Sequence, residues 1–123
     1  MAWTFVPNKP VFIQIGEHIK RSIVSGEYPA GSQIPPVRQI ALEATVNPNT
    51  VQHAFSVLEY EGLIISKGTT GKFVTDNTEI IEKCRKNMAQ KVVESFVFNM
   101  KLLGFSEKEA AEMVNNKYNK KIK

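Results

Sequence analysis

Residues 47–62 constrain the fold more tightly than any other stretch of this chain. They read Asn47-Pro48-Asn49-Thr50-Val51-Gln52-His53-Ala54-Phe55-Ser56-Val57-Leu58-Glu59-Tyr60-Glu61-Gly62. Asn47 can cap a helix by accepting a free backbone N–H of the first turn. Pro48 suits the first helical position, where its missing N–H costs nothing. Gly62 can end the helix at the far side. Between these caps Val51, Ala54, Phe55 and Leu58 recur at helical spacing and mark one buried face. Asn49, Gln52, His53 and Ser56 share the same spacing on another face. They are short polar side chains that both donate and accept hydrogen bonds, and they carry almost no charge. A solvated face more often carries Lys and Glu. A face of amides and hydroxyls suits the edges of DNA bases, where Asn and Gln can pair bidentately with adenine.

The flanking pattern supplies a frame for this helix. Phe12, Ile15, Ile19 and Ile23 form a stripe over about residues 10–25, closed by Gly26. A turn-rich link follows from Glu27 to Pro36. A short helix is expected over about residues 36–44, with Val37, Ile40 and Ala41 inward. Thr45-Val46 then leads directly into the capped helix. Two short helices joined by a tight turn form the helix-turn-helix pattern. Residues 63–75 change period: Leu63-Ile64-Ile65 and Lys72-Phe73-Val74-Thr75 favour strands around a Lys67–Gly71 loop, which reads as a β-hairpin, or wing. Trp3 and Phe5, in an irregular arm over residues 1–9, are expected to pack onto this body.

A second unit follows. A long helix is expected over about residues 77–103, with Ile81, Cys84, Met88, Val92, Phe96 and Met100 near one line and Val93, Val97, Leu102 and Leu103 widening it. Gly104 stops it. Ser106 and Glu109 form a capping box for another helix, with Ala110, Met113 and Val114 inward. Lys117–Lys123 reads as a frayed basic tail. Two helices of this length cannot cover their own apolar surface. A homodimer through the C-terminal helices is the simplest way to cover it. The expected architecture is therefore mainly α with a small β-hairpin. A winged helix-turn-helix domain (residues 1–76) precedes a two-helix dimerisation region (residues 77–123).

Charge follows the same division. Residues 1–76 hold six Lys or Arg against six Asp or Glu, so the net charge of +4 lies entirely in residues 77–123. The reading helix is thus not basic, and each subunit should show a modest salt dependence on DNA. No apolar run approaches the roughly 20 residues that cross a bilayer, and no signal peptide is evident. The lone cysteine, Cys84, reads as a small buried hydrophobe. The cytoplasm is the expected compartment. Enzyme chemistry has no support. Two histidines and one cysteine have no metal-ligand spacing, there is no Gly-rich phosphate loop or nucleophile motif, and no cofactor is implied. Glu59 and Glu61 stand at a helix end and do not argue for acid–base work, and His18 reads as a half-buried surface residue.

Residues 10–74 resemble the DNA-binding domain of the GntR family of bacterial transcription regulators. The elements that carry the resemblance are Pro10-Val11-Phe12-Ile13-Gln14-Ile15, Ile23-Val24-Ser25-Gly26-Glu27, Gly31-Ser32-Gln33-Ile34-Pro35, Val37-Arg38-Gln39-Ile40-Ala41, Asn49-Thr50-Val51, Leu58-Glu59-Tyr60-Glu61-Gly62-Leu63-Ile64 and Gly71-Lys72-Phe73-Val74. The short two-helix remainder is similar to the YtrA subfamily. The resemblance implies a dimeric repressor on double-stranded, pseudo-palindromic operator DNA. It also implies DNA contacts from Arg38, Asn49, Thr50, Gln52 and the wing, including Lys67, Thr69 and Thr70; His53 and Ser56 join this set from the polar face. Many relatives carry Ser-Arg in place of Asn47-Pro48 and Arg in place of Gln52, so their operator sequences do not transfer. Two other readings stand beside the repressor. One is a winged-helix protein-interaction module without DNA binding, suggested by the neutral body. The other is a sensor whose small-molecule effector sits at the dimer interface.

Overall fold

The computed structural model describes residues 3–120. Its elements are α1 (Val11–Val24), α2 (Val37–Ala44), α3 (Pro48–Tyr60), β1 (Ile64–Ser66), β2 (Lys72–Val74), α4 (Thr78–Leu102) and α5 (Glu107–Asn119), with one 3-10 turn, Gly68–Thr70, between the strands. The fold is thus mainly helical, with a single antiparallel hairpin in the register Ile64↔Val74, Ile65↔Phe73 and Ser66↔Lys72. The chain divides into two compact units, one running through Arg85 and one starting at Lys86.

The first unit is built around a continuous core. Ile15, Ile19 and Ile23 from α1 meet Ile40 and Ala41 from α2 and Val51, Ala54, Phe55 and Leu58 from α3. Ile34, Leu63, Ile64 and Val74 close the cluster from the wing side. Fully burying one such side chain contributes about 1.5–3 kcal/mol, so this cluster outweighs any surface ion pair, which is worth about 0–1 kcal/mol. Trp3 and Phe5 pack against the core as expected, and so do Ile80, Ile81 and Cys84 from the start of α4. Phe12 departs from its expected place on the buried stripe. It is only half-buried, and Ser22 is the fourth buried residue of α1.

The caps explain where the helices begin and end. Asn47 Oδ1 accepts the Asn49 N–H at 2.7 Å, with Pro48 at the first helical position. Gly62, at φ +82°, turns the chain out of α3. The turn between α2 and α3 is tight, as expected, and Thr45 makes it by adopting a left-handed conformation at φ 57°, ψ 52°. Several side chains of α1 hold the N-terminal arm, among them Glu17, whose Oε1 lies 3.3 Å from Lys9 Nζ, and Gln14. Gln14 accepts the Val6 N–H at 2.9 Å and donates to the carbonyls of Val6 and Lys9 at 2.9 and 2.7 Å.

The link before α2 belongs to the wing. Ile34 N–H donates to the Lys72 carbonyl at 2.9 Å, Val74 N–H donates to the Ser32 carbonyl at 2.8 Å, and Gln33 bridges Phe73 in antiparallel sense. The link therefore lies along β2 as a short third strand in all but length.

The second unit has the expected capping box, with Ser106 Oγ and the Glu109 side chain each accepting the other residue's backbone N–H. Neither α4 nor α5 contains a buried residue. Val92, Phe98, Leu102 and Leu103 are all more than 60% exposed. An open apolar groove is lined by Phe96, Met100, Met113, Val114, Lys117 and Tyr118. The expected frayed tail needs correction at its start: α5 continues to Asn119, so Lys117 and Tyr118 are helical. Residues 121–123 of that tail lie outside the described residues. No helix among the described residues is long and apolar enough to cross a membrane.

Candidate nucleic-acid interface

Helix α3 presents two faces. Val51, Ala54, Phe55 and Leu58 are buried, while Asn49, Gln52, His53 and Ser56 are exposed and Thr50 is half-buried. The core therefore fixes the rotation of α3 and turns the polar residues outward. Ser56 Oγ donates to the Gln52 carbonyl at 3.1 Å, a local back-bond that still leaves the hydroxyl oxygen free to accept. No hydrogen bond ties down the side chain of Asn49 or Gln52 among the described residues. Both amides can therefore turn toward a base edge.

His53 is ordered more tightly than its position suggests. Its ring stacks on Phe12 of α1, with centroids 3.8 Å apart and planes 9° from parallel. One ring face is covered, and the residue as a whole remains exposed. Sequence periodicity placed Phe12 with the core and gave no sign of this contact.

Arg38 is exposed at the second position of α2. Glu43, one turn further along α2, accepts from Gln39 Nε2 at 3.1 Å and makes no ion pair with Arg38. The guanidinium has no partner among the described residues and can reach a phosphate. In the wing, Lys67, Thr69 and Thr70 are exposed. Lys67 Nζ lies 4.6 Å from the Phe73 ring centroid, which holds the ammonium on the hairpin by a cation–π contact. The Thr70 N–H donates to the Lys67 carbonyl at 3.0 Å, and the Lys67 N–H donates to the Gly71 carbonyl at 3.0 Å.

Two acidic residues at the C-terminal end of α3 are neutralised in place. Lys72 Nζ lies 2.9 Å from Glu59 Oε1, and Lys20 Nζ lies 3.0 Å from Glu61 Oε1. Lys72 also donates to Ser66 Oγ at 2.6 Å. Glu59 and Glu61 thus join α3 to the wing and to α1. Other titratable groups also fit structural roles. Burial pushes the Cys84 thiol up, the opposite of what an activated thiolate requires. The His18 ring stacks on Trp3 at 3.8 Å, and burial, with Arg21 nearby, holds its pKa below the ordinary histidine value. No group of His, Cys, Asp and Glu among the described residues could hold a metal ion.

Residues 13–74 match the profile of the bacterial regulatory proteins of the gntR family. The chain belongs to the GntR family. This assignment gives the helices, wing and exposed face a common setting, that of transcription regulators with a DNA-binding domain, not enzymes. Among its relatives, the uncharacterized HTH-type transcriptional regulator YhcF of Bacillus subtilis is 33% identical over 88% of this chain and 89% of its own length. The HTH-type transcriptional repressor YtrA of the same organism is 33% identical over 57% of this chain and 54% of its own length. A GntR family transcriptional regulator from Listeria monocytogenes has a similar solved structure. It has a TM-score of 0.85 at 33% identity and covers 91% of this chain and 98% of its own.

Proposed function

We propose that this protein is a homodimeric repressor that binds a pseudo-palindromic operator. Residues 1–76 read the DNA and residues 77–123 pair the subunits. The observation that carries this reading is the polar face of α3, which the buried face of the same helix turns to the exposed side. Gln52 and Asn49 read base edges in the major groove, His53 and Ser56 extend the same face, and Thr50 meets a phosphate near the start of the helix. Arg38 and the wing residues Lys67, Thr69 and Thr70 hold flanking backbone. The exposed apolar face of α4 and α5 supports the dimer, since a surface of this kind needs a cover. Repression itself is supported by the similarity to YtrA, a repressor by name. The compartment is the cytoplasm, where the operator is.

Selection of bound sequences from random duplexes tests the reading. The expected result is an enriched palindrome whose half-sites lie about one helical turn of DNA, or a multiple of it, apart. Gln52→Ala together with His53→Ala should abolish the sequence preference and leave dimerisation intact. An unchanged preference would remove this face from the reading surface.

A further inference from the structure

The side chain of Gln33 lies outside the reading helix and outside the wing loop, yet it makes the longest-range side-chain hydrogen bond to that loop. Its Nε2 donates to the Thr70 carbonyl at 2.8 Å, across 37 residues of sequence. Its backbone bridges Phe73, whose ring carries Lys67. Gly71 shows how closely the parts meet. It sits at φ +123°, and a Cβ there would come within 2.7 Å of Gln33 Nε2. The backbone conformation there favours glycine, and an added Cβ would push the flexible Gln33 amide off the Thr70 carbonyl. Both flanks of the wing tip are thereby held: Gln33 grips the Thr70 side, and Phe73 holds the Lys67 side.

From this geometry we infer that Gln33 is a positioning residue for DNA binding. It fixes the wing tip so that Lys67, Thr69 and Thr70 meet the DNA backbone in one arrangement. The inference rests on the DNA-binding reading above. Gln33 touches no DNA in this scheme and acts through the Thr70 carbonyl. A loop held in its bound arrangement loses less freedom on binding than a free one, and that saving appears as affinity. Because the wing meets backbone and not base edges, Gln33 sets affinity without setting the sequence read by α3.

The test compares the full chain with Gln33→Met, which keeps the length of the side chain and removes the donor. Binding is measured on the duplex selected by the wild-type protein. The expected loss of affinity is about three- to ten-fold, the scale of one hydrogen bond, with the selected half-site sequence unchanged. The same substitution in a Lys67→Ala, Thr69→Ala background should have a clearly smaller effect, because two of the three groups it positions are gone. In the absence of DNA, amide exchange at Lys67 and Thr70 should accelerate in Gln33→Met while exchange at Leu58 stays slow, which shows an intact core. Unchanged affinity in the single variant, or an equal loss in the Lys67→Ala, Thr69→Ala background, would overturn the positioning role. Failure of the wild type to enrich any duplex is a separate result that overturns the DNA-binding reading itself.

Discussion

The two units of this chain use similar residues in opposite ways. In the first, Ile15, Ile19 and Ile23 of α1 and Phe55 of α3 are almost wholly removed from water. In the second, Phe98 is 63% exposed and Leu102 70% exposed, although both stand on well-formed helices. Helix formation and burial are thus separate achievements. α4 and α5 are regular helices without a buried residue, and only packing several elements together makes a core. The first unit has three helices and a hairpin with which to enclose its apolar residues. The second has two helical segments, which cannot enclose theirs.

The contrast can be broken most severely at the exposed face. Val97→Glu with Phe98→Glu places charge where the proposed partner subunit docks. The pair should yield a monomer in sedimentation and weaken operator binding by about a hundred-fold or more in a gel-shift titration, since two linked reading heads gain about 10²–10⁴ over one. A monomer with undiminished affinity would break the proposed division of labour. The next largest effect separates the units by stability. Phe55→Ala should destabilise the protein by about 3–5 kcal/mol in denaturant melts, to a similar extent at every protein concentration. Phe98→Ala should instead cost stability chiefly at concentrations where the subunits associate. Equal behaviour of the two variants would erase the distinction.

The smallest effect is a pH dependence confined to the first unit. His18 has a folded-state pKa below its unfolded value, with burial the first cause. The unfolded chain therefore binds the proton more readily. Stability is complete above about pH 6.5, the ordinary histidine value, and declines as the pH falls through it. His18→Phe should keep the stack on Trp3 and flatten this part of the melting-temperature profile between pH 7.5 and 5.5. A profile as steep as that of the wild type would assign the dependence to other groups.

The sequence announces features that repeat locally. The caps Asn47-Pro48 and Ser106/Glu109 stand within a turn of the groups they bind. The buried face of α3 has helical period, so its polar complement could be read with it. Contacts that join distant segments leave no such trace. The bond from Gln33 to Thr70 spans 37 residues, and nothing in the spacing of either segment signals it. The stack of His53 on Phe12 takes an aromatic residue from what looks like a core stripe and uses it at the surface. Thr45 is hidden for another reason. A β-branched residue seldom adopts positive φ, so its left-handed turn between α2 and α3 is visible only in three dimensions. Of the proposed DNA-binding residues, Asn49, Gln52, His53 and Ser56 on α3 follow from periodicity, whereas Thr50 on the same helix came from the resemblance. Arg38 and the wing entered only through resemblance to a family.

The lysine partners of Glu59 and Glu61 bear on how a duplex would first meet this protein. Two unscreened carboxylates at the C-terminal end of α3, where the helix dipole is also negative, would push a polyanion away before any base could be tested. Lys72 and Lys20 cancel that repulsion at distances of 2.9 and 3.0 Å, but in doing so they are no longer available to attract phosphates. The approach is thus made permissive without being made strongly attractive. Such a surface gains little from long-range steering, so ionic strength should alter its encounter rate with DNA far less than it would for an arginine-rich head.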